Sequence, residues 1–299
     1  MGERVTELQD AMANTAAAVT RQLDELLPRV AGPRGRVVDA MRDACLTGGK
    51  RMRPFLVVAA ARLFDVRDPR ALRVAAAVEM VHCYSLVHDD LPAMDDSDLR
   101  RGQPTVHKTY DTATAILAGD GLLTEAFAVL AHPDTHADPG VRAELMGALA
   151  GAAGSNGMVG GQMIDISSER NDLDLEGVSE LQRLKTGALI DVACQAGAIL
   201  GAAHADSRDA LRSYAADLGL AFQVADDLLD AEGDSARLGK PVGQDAEADK
   251  ATFLSLLGRK KARAKADSLS KSAVKHLAMF GDKADLLRQM ARFVVERQA

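Results

Sequence analysis

At 299 residues, with aromatics at 3%, no Trp and few runs that alternate apolar with polar side chains, the chain reads as a helical globular protein rather than a β-rich or disordered one. A formal charge of −7 excludes a broad nucleic-acid surface, which needs clustered and unopposed Lys and Arg, so any site for a polyanion has to be local. Length alone allows one large domain or two, but no segment reads as a linker, and 1–299 is taken as a single all-α bundle of about ten or more mostly antiparallel helices.

The N-terminus carries Glu3, Glu7 and Asp10 without an apolar segment, which argues against a signal peptide. Val5 to Leu27 patterns as an amphipathic helix, as does Ala284 to Arg297 at the other end. Gly48-Gly49-Lys50-Arg51-Met52-Arg53-Pro54 precedes an apolar helix expected to begin near Phe55 with Pro54 at its first position. Free backbone N–H groups there, with Lys50 and Arg53, make an anion site. A nucleotide P-loop is ruled out, because Ala44 stands where its first glycine belongs and Arg51 where Ser or Thr is needed.

Ala71 to Leu91 and Leu211 to Leu229 are apolar on nearly every face and read as two central helices. The first delivers His88-Asp89-Asp90-Leu91-Pro92-Ala93-Met94-Asp95-Asp96, the second Asp226-Asp227-Leu228-Leu229-Asp230. Acids at the ends of buried helices oppose the helix dipole and are costly to desolvate, so they call for a cation. Asp226 and Asp230 share a helix face, and the Leu91-Pro92 break lets Asp89 and Asp95 converge. Oxygen-only ligands, few in number, suit magnesium holding a substrate phosphate.

Arg100-Arg101-Gly102 places two planar cations directly after the first acidic cluster. Leu145 to Ile164 is uncharged for long enough to span a bilayer, but its six glycines argue for close helix packing and against a membrane span. Gly187 after Lys185-Thr186 in a helical pattern can mark a kink or be a packing glycine that the helix tolerates. Gly239 to Thr252 reads as a polar loop able to close over a substrate, carrying Lys240 and Lys250. Cys45, Cys83 and Cys194 form no regular set and suit reduced thiols in a cytoplasmic protein.

Taken in order, these motifs resemble those of the trans-prenyl diphosphate synthases, most closely their bacterial farnesyl-forming members: Gly48 to Pro54, Asp89 to Asp95, Arg100-Arg101-Gly102, Gly161 to Asp165, Lys185-Thr186 and Phe222 to Asp230. The resemblance implies that Asp89, Asp95 and Asp226 hold three magnesium ions around an allylic diphosphate, with Asp230 assisting through water. It implies that Arg100, Lys185 and Lys240 grip that diphosphate, while Lys50, Arg53, His82 and Arg101 hold isopentenyl diphosphate. Thr186 and Gln223 would lie near the reacting carbon, the acceptor of the final proton would be the departing diphosphate, and the molecule would be a homodimer. Tyr84 and Ser85, one turn before Asp89, would form the floor of the product pocket, and a bulky Tyr84 favours a fifteen-carbon product over a twenty-carbon one. A phosphohydrolase using His82, His88 and Asp89 leaves the second acidic cluster unexplained. A silent partner subunit would have lost an acidic cluster, and a terpene cyclase needs no site for a second diphosphate.

Overall fold

The computed structural model describes residues 2–167, 173–232 and 251–296. In chain order these form α1 (Gly2–Leu26), α2 (Gly35–Leu46), α3 (Met52–Arg62), α4 (Asp68–Asp89), a hairpin of β1 (Leu99–Arg100) and β2 (Gln103–Pro104), α5 (Val106–Thr109), α6 (Thr112–Ala131), α7 (Pro139–Ala153), α8 (Met158–Ser167) and α9 (Leu175–Gln182). A π-helical turn (Arg183–Gly187) leads into α10 (Ala188–Leu200), followed by α11 (Ala205–Glu232), α12 (Phe253–Leu257), α13 (Arg259–His276), a 3-10 stretch (Ala278–Ala284) and α14 (Asp285–Glu296). The architecture is all-α, as the composition implies.

Local chemistry sets the helix starts. Pro69 and Pro139 sit in the first turns of α4 and α7, where a missing N–H leaves nothing unpaired. Asp111, Asp138 and Asp174 stand just before α6, α7 and α9, and each side chain accepts a hydrogen bond from an orphan N–H of the first turn. α3 begins at Met52, three residues before the expected start, so Pro54 lies inside the first turn instead of opening it.

Side-by-side packing follows from short connections: α3 lies on α4, α10 on α11 and α13 on α14. α4 and α11 carry the buried stripes expected of them, but the helix most completely buried is α10, with every residue from Val192 to Leu200 inside. It packs against α3, α4, α7 and α11. At the α3 crossing a Cβ on Gly197 would come within 2.7 Å of Ala60 and Ala61, so the glycine is what lets the two backbones approach. Two central helices are therefore three.

The uncharged run 145–164 is broken at Gly154–Gly157 into the end of α7 and the start of α8. Close packing holds at Gly161, where a Cβ would fall within 2.9 Å of the Leu184–Lys185 backbone, but not at Gly147 or Gly151, which face open space. Among the described residues the helix long and apolar enough to cross a membrane is instead α6. Its inner face packs on α4, and Ile116 and Leu117 on the outer face are 42% and 57% exposed.

One buried acid in this core has no role in the site described below. Asp191 on α10 faces Arg212 and Gln195, its Oδ1 is buried without a hydrogen-bond partner, and burial pushes its pKa up to about 6. Because the folded value lies above the unfolded one, the unfolded chain releases this proton first, and stability falls as pH rises from about 4 through about 6. Asp191→Asn should therefore raise stability by about 2 kcal/mol near neutral pH and lose that advantage near pH ~4. Paired thermal melts across pH would check it; an Asn variant that melts below the parent at neutral pH contradicts the account.

Candidate active site

α4 ends at Asp89, and the chain then folds back on itself. Leu91 N–H donates to His88 O, Asp95 N–H to Asp89 O at 2.8 Å, and Ser97 N–H to Asp90 O, while Asp96 takes a left-handed φ of 47°. This compact turn brings Asp95 beside Asp89. Burial pushes Asp89 up to about 6; Lys185 and Arg100 oppose the shift, and Asp95 and Asp90 add to it. A carboxylate in that position, with a like charge beside it, is a ligand in need of a cation.

The adjacent Asp90 has a different part. It is 3% exposed and accepts three hydrogen bonds from Arg100 at 2.6–2.9 Å, a bidentate clamp that sets the guanidinium beside Asp89 and Asp95. Arg100 and Arg101 are presented by the β1–β2 hairpin. Its two-residue turn, Arg101-Gly102, has φ of 54° and 75°, the twist-matched geometry that closes two-residue hairpins.

Arg101 reaches across to the loop before α3, where its Nη1 donates to Gly48 O. A Cβ on Gly49 would lie within 3.1 Å of three guanidinium atoms of Arg101, at a φ of 137° that favours glycine. Gly49→Ala should therefore dislodge Arg101 and raise the KM for an anionic substrate bound beside it by about tenfold, with kcat changed less. Steady-state kinetics check this, and an unaltered KM would count against the contact.

Arg51, between Lys50 and Met52, turns away from the site. Its φ is 45°, and its side chain lies inside, with Nη1 at 2.6 Å from Glu79 Oε1 and Nη2 donating to Cys45 O. Lys50 stays exposed. Arg53 is half-buried, and its Nε has no hydrogen-bond partner. Burial draws its guanidinium down from the ordinary value and Arg101 adds to this, while Glu79 and Asp226 pull the other way. His82, on α4, is held well below the ordinary imidazole value by burial, with Arg53, Arg101, Arg100 and Arg51 reinforcing it. The arginines around His82 attract an anion and repel a metal cation, which argues against the His82, His88, Asp89 trio; His88 turns instead toward α6 and bonds Ile116 O.

On the opposite wall, Lys185 lies in the π-helical turn, a local widening that places its Nζ at 2.7 Å from Asp165 of α8 while keeping it near Asp89. The kink that Gly187 can mark is this turn, and Gly187 rests against Gly219 of α11. Thr186 is half-buried in the same turn. Gln223 donates to Gln182 Oε1 at 2.5 Å, a pair that spacing alone does not disclose. Asp226 and Asp230 are half-buried on α11, while Asp227 between them is buried and accepts from Phe253 N–H at the start of α12. Tyr84 is buried one turn before Asp89, and Ser85 donates to His82 O. Lys240 and Lys250 lie outside the described residues, as does most of their loop.

Each acidic cluster thus has a cation near it, Lys185 near Asp89 and Arg53 near Asp226. Among the described residues no three His, Cys, Asp or Glu side chains gather at one point. The donor set still fits magnesium, which takes one or two carboxylates and completes its shell with water and phosphate oxygens.

The fold is that of the isoprenoid synthases: a solved FPP/GFPP synthase from Zymomonas mobilis superposes with a TM-score of 0.89 at 49% identity, over 97% of this chain and 99% of that one. The polyprenyl synthetase family model matches residues 35–290, and the chain belongs to that family. It is 44% identical over 261 residues to the farnesyl diphosphate synthase of Geobacillus stearothermophilus, covering 87% of this chain and 88% of that protein. To the chloroplastic geranylgeranyl pyrophosphate synthase of Catharanthus roseus it is 43% identical over 268 residues, 88% and 74% of the two chains.

Proposed function

We propose that this protein condenses isopentenyl diphosphate with dimethylallyl diphosphate and then with geranyl diphosphate, releasing farnesyl diphosphate. The observation that carries the reading is the pairing of Asp89 and Asp95, within reach of Arg100 and Lys185, with a separate cationic pocket of Arg53, Arg101 and neutral His82. A chain with both is equipped to hold two diphosphates of different duty.

Heterolysis of the allylic C–O bond moves negative charge onto the departing diphosphate, and Lys185 and Arg100 stabilise that charge as it develops. Asp89, Asp95 and Asp226, with Asp230 assisting, would hold magnesium, three ions being expected, and the metal would supply further neutralisation at the same group. Arg53, Arg101, His82 and Lys50 hold isopentenyl diphosphate with its double bond toward the allylic carbon, so the encounter is effectively intramolecular. Thr186 and Gln223 border the reacting carbon, and the departed diphosphate takes the last proton. Lys240 and Lys250 are assigned to substrate closure.

The outer face of α6, with Ile116 and Leu117 exposed, supports a homodimer joined there. Three free, buried cysteines are in keeping with a cytoplasmic protein made of one domain. A twenty-carbon product is the second reading, favoured by the likeness to the geranylgeranyl-forming relative.

Labelled isopentenyl diphosphate incubated with dimethylallyl or geranyl diphosphate should yield a longer allylic diphosphate, and EDTA should abolish it. Chromatography of the dephosphorylated product decides between fifteen and twenty carbons. Phosphate release without a new hydrocarbon would instead mark a hydrolase.

A further inference from the structure

His88 stands next to the proposed metal ligand Asp89 but points elsewhere. Its Nε2 lies 3.0 Å from the carbonyl oxygen of Ile116 on α6; that oxygen can only accept, so Nε2 carries the proton. The ring sits in a notch cut by Gly119 of α6, where a Cβ would come within 2.8 Å of three ring atoms. Its other contact is Tyr84, one turn back on α4, met edge-on with centroids 5.7 Å apart and planes at 80°. A side chain fixed at one end by a hydrogen bond and a glycine seat, and touching an aromatic ring at the other, has little freedom, and neither has the ring it supports.

We propose that His88, seated in the Gly119 notch, is a positioning residue that locks Tyr84 across the floor of the product pocket, so that this pair on α4 and α6 sets the length at which chain growth stops. The inference rests on the reading of Tyr84 as that floor. Without the imidazole, the Tyr84 ring can turn into the vacated space and a growing chain can pass. With a methyl group at residue 119, the imidazole must leave its seat and its contact with Tyr84 is disturbed.

Product distributions from dimethylallyl diphosphate would be compared for the parent, Tyr84→Ala, His88→Ala, Gly119→Ala and the double variant His88→Ala/Gly119→Ala, each with a thermal melt. His88→Ala should raise the ratio of twenty- to fifteen-carbon product by about three- to tenfold, the partition change that loss of one aromatic contact allows. Gly119→Ala should lower turnover, and the double variant should recover the rate and product profile of His88→Ala, because the clash is with the ring that is gone. If His88→Ala does not fold, His88→Gln keeps a donor for Ile116 O without the ring edge, and should lengthen products likewise. Longer products from Tyr84→Ala with an unchanged profile from the folded His88 variants would overturn the proposal and leave the floor reading standing. No lengthening from Tyr84→Ala would remove the floor reading and the proposal with it. A double variant as impaired as Gly119→Ala would show that the notch does not act through His88.

Discussion

Asp89→Ala and Asp226→Ala are each expected to lower the rate of condensation by about a thousandfold or more with the fold intact, and Asp89→Ala to leave the melting temperature as high as the parent's or higher. The two halves of that expectation have one cause. Asp89 is half-buried, and its desolvation, with repulsion from Asp95 and Asp90, raises its pKa to about 6 despite Lys185 and Arg100. The folded chain is therefore strained by the negative charge it keeps there, and deleting the carboxylate relieves the strain. What disappears is the point at which a divalent ion can be held against a diphosphate. Asp226 faces Arg53 from the other side, and its loss leaves that cation with less to oppose it when substrate is absent. Initial rates at saturating magnesium, with melts on the same preparations, test both halves. Substantial activity in either variant, or a loss of activity explained by unfolding, would refute the assignment.

How much of this was legible in the sequence can be judged residue by residue. The helical class, the breaks at Pro69, Pro92 and Pro139, and the acidic ends of two apolar helices follow from spacing and composition, because helical periodicity is a local signal. Which member of each Asp pair faces the site is a different matter. Asp89 and Asp90 are chemically identical, yet Asp90 is turned inward to clamp Arg100; Asp227 is likewise occupied with the start of α12. That choice depends on where a hairpin and a later helix fall in space. The hairpin itself is invisible to periodicity, since its strands have two residues each and its signature is only the left-handed pair Arg101-Gly102. α10 is readable in principle from Ala-Leu-Ile-Asp-Val-Ala-Cys-Gln-Ala-Gly-Ala-Ile-Leu, apolar nearly all round, but it has no acidic cluster at its end to mark it as central.

Glu79→Leu alone should cost about 3–5 kcal/mol of stability, and Arg51→Met alone a similar amount, whereas the double variant Arg51→Met/Glu79→Leu should recover most of the loss. The ion pair is almost wholly enclosed, with 1% and 3% of the two side chains exposed. Burial presses the Arg51 guanidinium down, and Glu79, helped by Cys83 and Cys45, more than offsets it, so neither charge of the pair is tolerable without the other. Deleting one partner strands the survivor in a medium that solvates it poorly; replacing both by apolar groups of similar size strands neither. Melting temperature should drop by roughly 10 °C in each single variant and much less in the double, a pattern that independent contributions cannot produce. The pair also has a consequence for the site. Arg51 is anchored to Cys45 O at the end of α2 and to Glu79 on α4, so it fixes the turn that exposes Lys50 and starts the helix bearing Arg53. A double variant that melts like the parent should therefore still show a raised KM for isopentenyl diphosphate, because an apolar pair restores packing without tethering that loop. Equal melting of parent and single variants would mean the pair is not the internal strut that its geometry describes; a double variant with both parental stability and parental KM would confine its role to packing alone.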